Sequence, residues 1–283
     1  MNLVRMKELL QYAEKSKKGI AAINVSNMET IKAVMEAASI ANFPVILQVA
    51  PIQLEIQKIT YEEIAEIVKI LGKKYDIKAS LHLDHAETVE ECKEAIDAGF
   101  TSVMYDGSKV SLEENMKNSK EVVLYAKPKE ITVEAELGRV AGAEGESNDS
   151  IKALMTDPSI AAHFVKSTGI DCLAVSIGNA HGEYKFEPKL DFERLKAIYN
   201  EAKIPLVLHG GTGIPDKDIK KAIELGIRKI NFYTEIDSEF VKGFIEAYTN
   251  NNKIYMMSAQ EEARQRMIKK TVNKIELCKR IKS

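Results

Sequence analysis

Cysteine is scarce in this sequence, and the three present, Cys92, Cys172 and Cys278, stand far apart with no CxxC pair. That spacing excludes a disulfide framework and a thiolate zinc site, and it predicts reduced thiols packed in a core. A basic excess is also missing: 40 Lys and Arg stand against 42 Asp and Glu, a formal net charge of −2. With no basic run to neutralise a phosphate backbone, a nucleic-acid partner is not expected. No apolar run approaches the ~20 residues of a membrane span. The N-terminal MNLVRMKELLQYAEKSKKG interleaves charge with apolar residues at helical spacing, unlike the uninterrupted apolar stretch of a secretory signal. No membrane partner is expected, and the cytoplasm is the expected location. Neither a Pro/Ser-rich linker nor a low-complexity tract divides the chain, so residues 1–283 read as a single domain.

What is there is core and alternation. A 45% hydrophobic share over 283 residues is ample for one large core. Short β-branched or apolar runs predict strands near Ile20–Val25, Val45–Val49, Lys78–Leu83, Thr101–Tyr105, Ile131–Glu136, Asp171–Ser176, Pro205–Leu208 and Arg228–Asn231. Between them, helical periodicity marks Thr30–Ala41, Tyr61–Tyr75, Thr88–Ala98, Leu112–Tyr125, Asp191–Ala202 and Asp216–Leu225. Strands alternating with helices imply parallel βαβ units, and eight of them at this length predict an α/β fold, a closed (β/α)8 (TIM) barrel. Glycines in DAGF, STGI and ELGI sit where a helix must turn through αL into the next strand. The small, polar stretch Gly142–Ser150 reads as a mobile loop after the fifth strand. After Glu235 three further helical patterns follow, the last rich in Lys and Arg, as extra C-terminal helices that cover the barrel or mediate oligomerisation.

The chemistry collects at the strand ends, where barrel enzymes build their sites. The third strand ends in HLDHAE, the fourth in YDGS and the fifth in VEAELG; the later ones run into SIGNAHGEYK, LHGGTG and NFYTE. His85, His181 and His209 thus stand at three separate strand ends. Three neutral imidazoles with an open fourth position make a catalytic zinc site; the alternative is that each histidine packs at the rim. Asp84, beside His85, is placed for general acid/base work or for orienting an imidazole, unless it is a solvated rim acid. Glu134 and Glu136 share a face, and two inward acids call for a nearby cation or compensating hydrogen bonds. His82 lies at opposite parity to Leu81 and Leu83 and reads as buried and hydrogen-bonded, and His163 as a structural helix residue. Gly210, Gly211 and Thr212 of HGGTG, with Asn231 and Thr234 of NFYTE, form a candidate phosphate cradle after strands 7 and 8, with Lys185 adding charge. No strand-end lysine offers an obvious Schiff base.

In order and spacing, HLDHAETVEECKEAIDAGFTSVMYDGS, VEAELG, AVSIGNAHGEYK, PLVLHGGTGI and KINFYTE resemble the class II fructose-/tagatose-bisphosphate aldolases. The resemblance runs from the N-terminal helix to about residue 240, and more loosely beyond. It implies Zn2+ held by His85, His181 and His209, with Asp106 and Glu136 as secondary metal contacts. It further implies Asp84 as the proton carrier at the C4 oxygen and Glu144 as the residue that exchanges the carbon-bound proton. Gly182, the HGGTG loop and Asn231 to Thr234 match its phosphate cradle, Lys185 a nearby basic residue, Asn24 a contact to the triose-phosphate part, and Arg264 a distal-phosphate arginine. A monovalent cation (Na+ or K+) and a homodimer or homotetramer are further expectations of the family. The implied reaction is reversible cleavage of a phosphorylated ketose to dihydroxyacetone phosphate and an aldehyde, a step of carbohydrate metabolism such as glycolysis.

Three positions depart from the pattern. GAEGES lacks the Asp that commonly follows the loop Glu, Ala50 stands where Ser or Thr is common, and Tyr233 replaces a small or acidic residue. A phenol at position 233 keeps open an aldolase for another sugar phosphate, such as 2-deoxy-5-keto-gluconate 6-phosphate. A non-catalytic partner subunit is the remaining alternative, and the full set of His85, His181, His209, Asp84 and Glu144 argues against it.

Overall fold

The computed structural model describes residues 1–142, 154–182, 184 and 187–279. Eight parallel strands close into a barrel: β1 (Ile20–Asn24), β2 (Val45–Val49), β3 (Lys78–Ala86), β4 (Ser102–Tyr105), β5 (Thr132–Leu137), β6 (Cys172–Val175), β7 (Leu206–Leu208) and β8 (Ile227–Phe232). Each pairs with its sequence neighbour, and β8 returns to β1 through Asn231↔Ala22 and Phe232↔Ile23. The eight predicted strands are thus present, and the fold is the expected (β/α)8 barrel.

The strands are buried on both faces, which explains their near-continuous aliphatic runs. Helices on the outside provide the second layer: α1 (Met6–Ser16), α2 (Met28–Ala41), α3 (Pro51–Gln57), α4 (Tyr61–Gly72), α5 (Val89–Ala98), α6 (Leu112–Ala126), α7 (Pro158–Thr168), α8 (Phe192–Ala202) and α9 (Asp216–Glu224). Local chemistry sets their starts. Asn27 with Thr30, Thr60 with Glu63 and Thr88 with Glu91 form reciprocal capping boxes that satisfy otherwise orphaned N–H groups. Helix α1 buries Met6, Leu9, Leu10 and Ala13, and the Lys7 N–H donates to Thr132 Oγ1 at the start of β5.

Beyond β8, two helices follow among the described residues where the sequence predicts three: α10 (Thr234–Asn250) and α11 (Met256–Lys279). No Gly or Pro interrupts Met256–Lys279, so the last two helical patterns run on as one 24-residue helix. This helix packs on α2 and α10, and its approach to α10 is so close that a Cβ at Gly243 would collide with the Ala263 backbone. Its basic residues meet an acid: Lys270 and Lys274 reach Glu235, in the first turn of α10, at 2.6 and 2.7 Å. The three thiols are free and buried, as expected. No helix among the described residues is long and apolar enough to cross a membrane.

Candidate active site and metal centre

The geometry of β3 decides the site. Leu83 pairs with Val103 and Ala86 with Tyr105, so two residues of β3, Asp84 and His85, lie opposite one residue of β4, Met104. This is a β-bulge, and His85 takes the left-handed conformation it needs, with φ 53°. In a regular strand, adjacent side chains point to opposite faces. The bulge allows Asp84 and His85 to serve the same mouth, and the αL conformation of a non-glycine residue is strain of the kind that clusters at functional positions.

The mouth opens as a cavity of about 510 Å³ lined by Asn24, Gln48, Asp84, His85, Asp106, Glu136, His181, Gly182, Gly210, Thr212, Asn231, Tyr233 and Thr234, among others. Asp84 is 4% exposed and belongs to an amide cluster. Its Oδ2 accepts from Gln48 Nε2 at 3.0 Å and from Asn24 Nδ2 at 3.4 Å, and its Oδ1 accepts from Asn231 Nδ2 at 3.1 Å. Gln48 Nε2 also donates to Asn24 Oδ1 at 2.7 Å, and Asn24 Nδ2 to Gln53 Oε1 at 3.2 Å. Burial opposes the charge on Asp84, but His85, Lys229 and His209, with the Asn24 hydrogen bond, hold its pKa below the ordinary carboxylate value.

On the other side, three imidazoles converge. The ring centroids of His85 lie 4.9 Å from His181 and 4.6 Å from His209, and those of His181 and His209 are 5.8 Å apart. One ring nitrogen of each lies within 4.8 Å of the others. His85 Nδ1 bonds Asp106 Oδ2 at 2.7 Å, which leaves Nε2 for the centre. His209 Nε2 bonds Glu134 Oε1 at 2.9 Å, which leaves Nδ1. Burial and the neighbouring His85 lower the pKa of His181 to about 4, so its imidazole is neutral. Burial disfavours charge on His85 too, yet Asp84, Asp106 and Glu136 raise it to about 9.

Two atoms test whether a cation fits. His209 Nδ1 and Glu136 Oε2 are buried, 3.6 Å apart, and neither has a hydrogen-bond partner. With Nε2 carrying the His209 proton, two acceptors face each other, an arrangement that costs energy unless a cation or a proton lies between them. Without a metal, burial and the Asp106 charge push the Glu136 carboxyl up to about 8. Glu136 and Asp106 also form, with His85, a second group spaced to hold a metal. The donor set is nitrogen and carboxylate oxygen, which suits zinc.

The two inward glutamates differ. The cation that compensates Glu134 is an amino-acid side chain: Lys229 Nζ lies 2.9 Å from Glu134 Oε2, both fully buried. His82 faces the barrel interior, with Nδ1 2.9 Å from Ser102 Oγ, and His163 is exposed on α7.

The glycine loops are shaped as expected, with one change. Gly210 has φ +64°, and a Cβ there would collide with the Ala180 carbonyl. The Gly211 N–H donates to the Asn231 carbonyl at 2.9 Å and is therefore spent within the protein. Gly182, Gly210, Thr212 and Thr234 line the cavity, and α10 starts there with no side-chain cap, an N-terminus suited to an anion. Tyr184 clasps the two loops: its hydroxyl accepts from the Ala180 N–H at 2.7 Å and donates to the Gly210 carbonyl at 3.1 Å. Tyr233, 43% exposed, lines the cavity, as does Gln53. Arg264 does not line the cavity; its guanidinium pairs with Glu29 at 2.8 Å and with Glu261. Glu144 and Lys185 lie outside the described residues.

Sequence reasoning missed Gln48, Gln53, Lys229 and Tyr184. Gln48 in VILQV and Lys229 in IRKINF carried a signal, since a polar residue inside a fully buried strand must have a partner.

Comparison with known proteins agrees with this geometry. The family model described as "Fructose-bisphosphate aldolase class-II" matches residues 4–282. A fructose-bisphosphate aldolase of Staphylococcus aureus is 43% identical over 261 residues, 90% of this chain and 89% of that one. The crystal structure of the YdjI aldolase from Escherichia coli K12 is similar with a TM-score of 0.86 at 34% identity, covering 98% of this chain and 97% of that one. A fructose-bisphosphate aldolase structure from Campylobacter jejuni has a TM-score of 0.83 at 26% identity, covering 98% and 96%. The chain therefore belongs to the class II fructose-bisphosphate aldolase family and is an aldolase, a carbon–carbon lyase.

Proposed function

We propose that this enzyme is a zinc-dependent aldolase that reversibly cleaves a ketose bisphosphate, fructose-1,6- or tagatose-1,6-bisphosphate, to dihydroxyacetone phosphate and glyceraldehyde 3-phosphate. The observation that carries the reading is the convergence of three imidazoles, one with an unpartnered Nδ1 facing an unpartnered Glu136 oxygen, beside a buried Asp84. Zinc held by His85, His181 and His209 would polarise the ketose carbonyl and relieve the negative charge that develops as the bond breaks. Asp84, kept ionised and aimed by three amides, takes the proton of the C4 hydroxyl in cleavage and returns it in condensation. As C4 becomes a carbonyl, the electron pair of the C3–C4 bond moves towards C2. Glu144 is assigned, from the resemblance, to deliver the proton that completes dihydroxyacetone phosphate. Gly182, Gly210, Thr212 and Thr234, with the α10 N-terminus, hold the phosphate and fix the reacting carbon. Lys185 and Arg264 are assigned to substrate phosphates on the resemblance alone. A monovalent cation (Na+ or K+) near the cradle, a homodimer or homotetramer and a cytoplasmic location complete the reading.

Tyr233 favours a second reading of the same site, cleavage of a different sugar phosphate, because its half-exposed ring occupies the cavity wall. One assay series tests both: cleavage of fructose-, tagatose- and related ketose phosphates, before and after chelation and on zinc return. Loss on chelation and recovery with zinc are expected; cleavage that survives complete metal removal would overturn the zinc assignment. A preference for a bisphosphate over every other ketose phosphate would dismiss the second reading.

A further inference from the structure

The barrel interior holds a charged group that the proposed chemistry does not use. Lys229, on β8, is 0% exposed; its Nζ donates to Glu134 Oε2 at 2.9 Å and lies 3.3 Å from His82 Nε2. The Cys172 thiol adds a weak third contact to Glu134 Oε2 at 3.9 Å. Glu134 Oε1, the other carboxylate oxygen, accepts from His209 Nε2 at 2.9 Å. His82 closes the group from the far side: with its Nδ1–H given to Ser102 Oγ, its Nε2 is free to accept from Lys229.

Stability alone does not account for this pair. Barrel interiors are filled mainly by branched aliphatic side chains, and well-packed apolar residues in place of a buried ion pair are often neutral or stabilising. A lysine inside an apolar strand is also where a Schiff-base nucleophile would be sought. Lys229 does not line the cavity, however, and its N–H groups are directed at Glu134 and His82. What the pair provides, and aliphatic residues would not, is a carboxylate fixed at one oxygen and aimed with the other at His209.

We propose that Lys229 is a positioning residue of the metal centre: by anchoring Glu134 from below, it fixes the ring and tautomer of His209, so that Nδ1 faces Glu136 Oε2 as a lone pair. It acts through Glu134, touching neither metal nor substrate. The inference rests on reading His209 as a metal ligand. A carboxylate that orients a ligating imidazole raises its basicity, and loss of such support typically weakens metal binding by about 10–100-fold.

The test is zinc affinity of the full chain, measured by competition with a chromophoric chelator, for wild type, K229M, E134Q and K229M/E134Q. K229M and E134Q are each expected to weaken zinc by about tenfold or more, and the double variant to bind no more weakly than E134Q alone. Nitrogen NMR of the metal-free wild type should show His209 protonated at Nε2, with the tautomers mixing in K229M. If K229M leaves a carboxylate buried without its partner and fails to fold, the comparison of E134Q with the double variant still decides. Wild-type affinity in K229M, or a further loss on adding K229M to E134Q, would overturn the role. A wild-type chain that binds no zinc would overturn the metal reading itself, and the role with it.

Discussion

The two sides of the barrel mouth are built on opposite principles. Around Asp84, the neutral amides of Asn24, Gln48 and Asn231 supply a donor to each carboxylate oxygen. Around His209, the acceptors Nδ1 and Glu136 Oε2 face each other with no donor. On the amide side both Asp84 oxygens find donors within the protein and the carboxylate is held as an anion ready for proton transfer, while the Gln48 Oε1 and Asn231 Oδ1 acceptors are buried without a partner. The imidazole side becomes complete only when a cation or a proton enters. Burial thus serves a division of labour: on one side hydrogen bonds hold a carboxylate, and on the other two acceptors are left face to face.

Substitutions can separate the two sides. The largest effect is expected from His209→Ala, which removes the unpartnered Nδ1 proposed as a ligand atom: bound zinc and turnover should disappear together, as read by metal analysis and a cleavage assay. Retention of stoichiometric zinc would remove His209 from the ligand set. Gln48→Met, similar in volume, should leave zinc content unchanged while lowering kcat about 10–100-fold, the scale of one hydrogen bond to a charged group. A fall in zinc affinity instead would mean that the two sides are not independent.

The smallest effect is a pH dependence of stability in the metal-free protein. Glu136 is raised from 4.5 to about 8 and His85 from 6.5 to about 9. Both bind more protons folded than unfolded, so their contribution is present at low pH and is lost as pH rises through those folded values. Thermal melts of the metal-free chain should therefore drop by a few degrees between about pH 6.5 and 9. With zinc bound the drop should shrink, because the cation replaces those protons.

Much of this site was legible in the sequence because polar residues at strand ends interrupt aliphatic runs. The strands, the converging His85, His181 and His209, and the Gly210 turn could all be read from that contrast. What could not be read depends on which face of each strand turns inward. Neighbours such as Asp84 and His85 should diverge in a regular strand, and only the bulge opposite Met104 brings both to the mouth. Gln48 and Lys229 sit inside strands, where their partners come from residues 36 and 95 positions away in the chain. The inward pair Glu134 and Glu136 correctly signalled positive charge, but the cation at Glu134 is Lys229. The third C-terminal helix was a pattern without a break, and without Gly or Pro the helix simply continues.

The most direct test of this division is Asp84→Ala, assayed for zinc content and cleavage on one preparation. Zinc should stay at the wild-type level while turnover falls by about two to four orders of magnitude, the range of a lost general acid/base. Loss of zinc in that variant, or turnover near the wild-type rate, would contradict the account.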